Sequence, residues 1–214
     1  AIGGGSTIGL GKAVALEFGL PIIAVPTTYA GSEMTPIWGL TEAGIKKTGR
    51  DNKVLPKTVV YDPTLTSTLP AHIAAPSGMN AIAHCVEAMY SETANPIISM
   101  MAEEGVRSLA RTLPRVVREP DNMGARTDAL YGAYLSGASL GAVGMALHHK
   151  LCHTLGGSFN LPHAETHTIV IPHATAYNID AAPDARKRLS RALETDHPAG
   201  ALFDLGEAIG AKLA

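Results

Sequence analysis

Apolar and polar positions change their period once along the chain. Up to about residue 63, apolar residues come in short runs cut by glycine and proline. Pro21-Ile22-Ile23-Ala24-Val25-Pro26 is a strand-length apolar run bounded by prolines, which reads as a buried strand. Lys57-Thr58-Val59-Val60-Tyr61-Asp62-Pro63 is a second run, rich in β-branched residues and ending in a turn. Ala1-Ile2 enters Gly3-Gly4-Gly5 as the end of a strand, residues 11–18 read as a helix, and residues 27–33 as a polar loop. From about residue 70 the period is helical. Pro76-Ser77-Gly78 opens a helix through Tyr90. Asn95-Pro96 starts another, whose Ile97, Ile98, Met101, Val106, Leu109, Leu113 and Val117 form one face. Helical stretches follow over residues 125–142, 143–155, 183–194 and 199–212. The expected fold is α/β plus all-α: a partial α/β domain over residues 1–68, then a partial all-helical domain over 69–214. The chain starts at a strand end without Met and stops inside a helical pattern, so residues are expected to be missing at both ends.

Composition narrows the function. The 214 residues are 46% hydrophobic and 17% charged, enough apolar material for a core and too few charges for disorder. The net charge of −2 is built from interspersed signs, so neither a nucleic-acid partner nor a membrane surface is expected. Cys85 and Cys152 lie in apolar, helix-like surroundings and read as buried free thiols. No apolar run has the length of a bilayer span and no secretory leader is read, so the cytoplasm is the expected location.

The segment Gly3-Gly4-Gly5-Ser6-Thr7-Ile8-Gly9-Leu10-Gly11 places glycines between a strand and a helix. That is an anion site: free backbone N–H groups and the positive helix end favour phosphate, and glycine lets the backbone approach it. A P-loop is excluded, because Ser6 stands where the first glycine belongs and Ala13 follows Gly11-Lys12. G-x-G-x-x-G fails at Ile8. The short-chain dehydrogenase spacing fits Gly5, Gly9 and Gly11, yet no tyrosine has the lysine four residues later that such enzymes pair with it.

Six of the nine histidines fall within residues 148–173, a density that calls for a reason. His149 and His153 share a helix face, as do Asn80 and His84 on an earlier helix. His163 follows Pro162, in a loop or at a helix start. Two facing helices and this residue could surround a metal or a substrate, but Asn80 is a neutral, weak ligand where a carboxylate would serve a cation. His72, His167, His173 and His197, and also His148, read as ordinary core or surface residues. No His-Glu-x-x-His pattern occurs, leaving a metal-dependent hydrolase as a remote alternative.

In order, Gly3-Gly4-Gly5-Ser6, Pro26-Thr27-Thr28-Tyr29-Ala30-Gly31-Ser32-Glu33, Ser77-Gly78-Met79-Asn80-Ala81-Ile82-Ala83-His84, Cys152-His153-Thr154-Leu155-Gly156-Gly157 and Asn160-Leu161-Pro162-His163 resemble the iron-containing alcohol dehydrogenase family over essentially the whole chain. The resemblance implies the C-terminal part of a Rossmann-like dinucleotide-binding domain, then a helical catalytic domain, in a dehydroquinate synthase-like arrangement. It implies NADH or NADPH held by Gly4, Gly5, Ser6, Thr27, Thr28, Ser32 and Lys46. The family's metal positions would be Asn80, His84, His149 and His163, with His153 near the nicotinamide. Asn80 replaces the family's aspartate. With Pro36-Ile37-Trp38-Gly39-Leu40-Thr41-Glu42, it resembles the branch that reduces maleylacetate to 3-oxoadipate in aromatic degradation, and no metal is expected. A metal-dependent NAD(P) alcohol dehydrogenase of the same family is the alternative. Hydride would reach the alkene carbon. Protonated or hydrogen-bonding His153, His149, His163 and His84 would then stabilise the enolate, supply the proton and meet the carboxylates of a small dicarboxylate. A cytoplasmic homodimer is the family expectation.

Overall fold

The computed structural model describes residues 1–42 and 45–211, and of residues 41, 42, 45 and 46 the backbone alone. The α/β part opens with β1 (Ile2–Gly3), α1 (Gly5–Phe18) and β2 (Ile23–Pro26). An antiparallel hairpin follows, β3 (Ile37–Glu42) with β4 (Ile45–Arg50), and then β5 (Thr58–Val59). β2 lies between β1 and β5 in a parallel sheet, with Ile2 opposite Val25 and Ala24 opposite Val59. Ile8 and Ala15 of α1 pack on Ile22, Ala24 and Val59, closing one face of the sheet with a crossover helix, as parallel strands require.

The helical part runs α2 (Ala71–Tyr90), α3 (Pro96–Arg118), α4 (Met123–Ala142), α5 (Leu147–Phe159), α6 (His163–Asn178), α7 (Pro183–Leu193) and α8 (Pro198–Ala208). α2 is buried without interruption from Ala74 to Met89. Its small and apolar residues show no polar stripe, which suits a helix surrounded on all sides. Asn95 caps α3 by accepting from the backbone N–H groups of Ile97 and Ile98, and Asn122 caps α4 by accepting from that of Ala125. Buried Arg126 of α4 donates to the carbonyls of Thr66, Ser67 and Pro120. It thereby ties the 3-10 turn Pro63–Thr66, which ends the α/β part, to the helical bundle.

Several elements differ from the expectations. α1 begins at Gly5 rather than residue 11, so the glycines themselves form its first turns. α2 starts at Ala71 and holds Pro76 inside it. A proline there removes one N–H early in the helix, and tertiary burial outweighs the loss. Ile97 is 70% exposed. The rest of the expected face of α3 is on the core: Ile98, Val106, Leu109 and Leu113 are buried beside Ala102 and Val116, and Met101 and Val117 pack against them half-buried. Residues 143–146 precede α5 rather than opening it. His163 starts the full helix α6, which the sequence did not mark as one. The hairpin was not anticipated either. Its second strand, Ile-Lys-Lys-Thr-Gly-Arg, lacks an apolar alternation; the Trp38 ring covers its partner Gly49, and Arg50 donates to the carbonyls of Gly141 and Val143. Cys85 and Cys152 are buried and free, as expected.

Gly137 of α4 sits against the backbone of Gly31, where a Cβ would overlap the Gly31 carbonyl oxygen. Backbone cannot swing aside as a side chain can. Gly137→Ala should therefore cost roughly 1–3 kcal/mol of stability, the usual range for overpacking. Gly9→Ala, where a Cβ meets nothing within 4 Å, should be neutral or mildly stabilising. Thermal unfolding of the two variants by circular dichroism checks the contrast.

Candidate active site

α1 begins without a side-chain cap and without an acidic residue in its first turn. Its first N–H groups and the positive end of its dipole are thus left to a ligand. Gly4 is required at this point, since a Cβ would stand 2.9 Å from the Thr28 methyl. Gly4, Gly5, Ser6, Thr28 and Ser32 line one cleft of about 820 Å³. The same cleft is lined by Trp38, Asn80, His84, His149, His153 and His163. The expected cofactor loop and the expected histidines therefore face a common space. Thr27 is not part of that lining; its N–H continues the sheet ladder to the Gly3 carbonyl at 3.1 Å. The side chain of Lys46 lies outside the described residues.

Lys12, which the motif comparison used only to dismiss a P-loop, is fully buried. Its ammonium donates to the carbonyls of Ser32 (2.7 Å), Thr35 (2.9 Å) and Ile37 (2.7 Å) and reaches the hydroxyls of Ser32 and Thr35. α1 is thereby clipped to the segment that walls the other side of the cleft. Burial pulls the amine down to about 8, against the opposing pull of Glu33. Glu33, also buried, accepts from the Tyr61 hydroxyl at 3.0 Å, and burial pushes its carboxyl up to about 7.

The histidines form one cluster. The His84 and His149 rings lie 4.9 Å apart between centroids, and His153 and His163 lie 6.0 Å apart and stacked. His167, expected to be an ordinary residue, stands inside the cluster, 4.2 Å from the His163 ring and 4.7 Å from His149. It is wholly buried, and neither ring nitrogen has a partner among the described residues. The sequence could not show this, because α6 was not recognised and the face of its second turn was therefore unknown. His148 is a satisfied core residue, its Nε2 on the His167 carbonyl at 3.0 Å. His72, His173 and His197 are exposed.

Sequence reasoning also missed Glu87, one turn beyond His84 on α2. Its buried carboxylate meets His149 Nδ1 at 2.5 Å and accepts from the backbone N–H groups of Ala146 and His149 at the start of α5. Burial and the surrounding imidazoles push His84, His149 and His167 down, well out of the range where they would carry charge at neutral pH. Of the two forms expected, protonated or hydrogen-bonding, burial favours the neutral hydrogen-bonding ring at His84 and His149.

The expectation of a metal-free site finds no support in this geometry. Asn80 Oδ1, His84 Nδ1 and His149 Nε2 are buried and have no partner among the described residues, and their side chains line the same cleft as His163. Three imidazoles and an amide oxygen are an acceptable donor set for a divalent transition metal. Asn80 brings no anionic charge to that set.

The chain belongs to the iron-containing alcohol dehydrogenase family: the family's C-terminal model matches residues 74–212 and its iron-containing alcohol dehydrogenase model matches residues 1–63. Among its relatives is the maleylacetate reductase of Sphingobium indicum, 60% identical over 213 residues, covering 100% of this chain and 60% of that protein. The maleylacetate reductase of Burkholderia cepacia is also 60% identical, over 98% of the chain and 60% of its own length. The crystal structure of maleylacetate reductase from Rhizobium sp. strain MTP-10005 superposes with a TM-score of 0.95 at 52% identity, covering 100% of this chain and 61% of that one. A sulfoacetaldehyde reductase from Bifidobacterium kashiwanohense, solved in complex with NAD+, gives a TM-score of 0.90 at 26% identity, over 100% of this chain and 64% of that one. The chain thus spans about 60% of the length of the reductases it matches.

Two measurements test the site. Glu33 holds its proton more tightly folded than unfolded, with a value of about 7 against 4.5. Its contribution to stability is complete below about pH 4.5 and is lost as pH rises through 7. Between those limits the urea midpoint of the parent protein should fall relative to Glu33→Gln; parallel curves would contradict the assignment. Asn80→Asp should tighten Zn²⁺ binding by about tenfold or more, because ligand charge governs such affinities. Calorimetric titration of chelator-treated protein reads this directly.

Proposed function

We propose that this chain carries the cofactor loop and catalytic histidines of a maleylacetate reductase, which reduces the conjugated double bond of maleylacetate to 3-oxoadipate with NADH or NADPH. The observation that carries the reading is the single cleft shared by an uncapped glycine-rich helix start and a histidine cluster. The 60% identity to maleylacetate reductases over the chain's length supports the substrate. A metal-dependent alcohol dehydrogenase of the same family is the second reading, favoured by the converging unpartnered donors at Asn80, His84 and His149.

The start of α1 holds the cofactor diphosphate through backbone N–H groups, with Thr28 and Ser32 on the facing wall. NADH or NADPH bound there would supply the hydride that the alkene carbon accepts. The electron pair of the double bond moves toward the ketone, leaving an enolate, and a proton then returns to carbon. His153, half-buried at the cleft wall and 6.1 Å between centroids from His149, is the residue to hold that proton. His163 is the most open of the set and meets a substrate carboxylate. Neutral His84 and Asn80 line the buried end. A divalent cation, held by Asn80, His84, His149 and His163, would supply Lewis-acid polarisation of the carbonyl oxygen.

The full-length protein should oxidise NADH or NADPH in the presence of maleylacetate and turn over simple aldehydes far more slowly; the reverse preference would establish the alcohol dehydrogenase reading. His153→Ala should lower kcat by about 10²-fold or more, as loss of a general acid does, while dinucleotide affinity by fluorescence titration stays unchanged. Turnover equal to the parent's would remove His153 from the mechanism.

A further inference from the structure

We propose that Glu87 is the positioning residue of the site: it fixes His149 in the tautomer protonated at Nδ1, so that Nε2 faces the cleft as a lone pair. The proposal rests on the functional reading above for its consequence in turnover, but its geometry stands apart from that reading.

Three observations carry it. A carboxylate can only accept. The two backbone N–H groups that Glu87 accepts favour its ionised form, and its contact with His149 Nδ1 is close, at 2.5 Å, so the His149 proton belongs on Nδ1. Next, Glu87 is itself held. Its two oxygens accept from the backbone N–H groups of Ala146 and His149, both at 3.3 Å, at the N-terminus of α5, where a helix favours negative charge. α5 has no cap of its own, since Ala146 occupies that position. One buried carboxylate from α2 therefore closes the first turn of α5 and orients the side chain that turn projects. Finally, His149 Nε2 is buried without a partner among the described residues, beside the equally unpartnered Asn80 Oδ1 and His84 Nδ1. With Nδ1 engaged, Nε2 presents electrons rather than a proton. It can accept from substrate or water, or ligate a cation; it does not donate to an enolate. The acid role therefore passes to His153. Orienting a ring by its far nitrogen is a general device for ligand and catalytic histidines.

The test uses chelator-treated full-length protein labelled with ¹⁵N-histidine. The His149 ring signals are assigned by their loss in His149→Ala. In the parent, Nδ1 should carry the proton and Nε2 should not. In Glu87→Ala, or in Glu87→Gln if the alanine variant does not fold, the Nε2–H form should appear. A parent ring protonated at Nε2, or a tautomer unchanged by the Glu87 substitution, overturns the proposal. Turnover supplies the second readout. Glu87→Gln should lower kcat with maleylacetate by about 10–100-fold, the usual effect of losing such a partner. The dissociation constant for NADH should hold within about threefold, and no further loss of kcat should follow in the His149→Ala background. A residue that only caps α5 would lower kcat equally in both backgrounds, and that result would also overturn it. If the parent does not reduce maleylacetate at all, the functional reading fails while the tautomer measurement still decides the role of Glu87.

Discussion

The Lys12 ammonium is the point on which the cofactor side of the molecule hangs. Five oxygens from Ser32, Thr35 and Ile37 converge on it. Without the cation, the three carbonyls would be buried acceptors facing one another, each costing about 1–3 kcal/mol if left unmade. With it, the helix that begins at the glycine loop is locked to the segment that leads into the β3–β4 hairpin. That segment in turn rests through Gly31 on Gly137 of α4, and α4 reaches back through Arg126 to the turn after β5. The two walls of the cleft are held in register by one lysine, one glycine contact and one arginine. All three are buried, and all three work chiefly on backbone, with the Ser32 and Thr35 hydroxyls added at Lys12.

The opposite end of the cleft follows a different rule. There the polar groups are numerous, mostly neutral, and incompletely paired. Asn80, His84, His149 and His167 leave ring or amide atoms unpartnered among the described residues, against the general tendency of folded chains to satisfy buried polar atoms. Such atoms cost stability, and they persist where they serve a ligand. Burial keeps the His84, His149 and His167 rings neutral, and neutrality makes so dense a cluster tolerable; charged imidazoles packed this closely would repel one another strongly.

Much of this was legible in the sequence, and the exceptions have physical causes. The glycine loop, the strand at Ile23–Pro26, the helix start at Asn95-Pro96 and the small-residue helix α4 all follow from local rules, and local rules suffice for them. The hairpin β3–β4 does not. It has no apolar alternation of its own and is held by the Trp38 ring over Gly49 and by Arg50 on a distant helix. Helix α6 was hidden because it follows a proline and carries no clear amphipathic stripe, being enclosed on much of its surface. That miss had a consequence for the site: without α6, His167 had no face and was read as ordinary. Lys12 and Glu87 were invisible for a related reason. A lysine or glutamate in a helix is by default a solvated residue, and only tertiary packing reveals one that is buried and paired.

The amide at position 80 acquires a physical meaning from this arrangement. Glu165 lines the cleft beside His163, whereas the carboxylate that pairs with His149, Glu87, lies behind that ring and outside the lining. Glu87 touches His149 from the far side and points its charge at the start of α5. A carboxylate at position 80 would instead face the ligand. For the dianionic substrate proposed above, a like charge at about 4 Å would cost about 4 kcal/mol at an effective dielectric of 20, enough to weaken binding by orders of magnitude. For an uncharged alcohol or aldehyde the same carboxylate carries no such penalty and strengthens the hold on a cation. Asn80 keeps an oxygen lone pair in the site while withdrawing the charge. The chain thus retains a donor set that suits a metal, yet has a front that tolerates carboxylates. On the proposed reading, position 80 separates the two chemistries through the charge it would place at the buried end of the cleft.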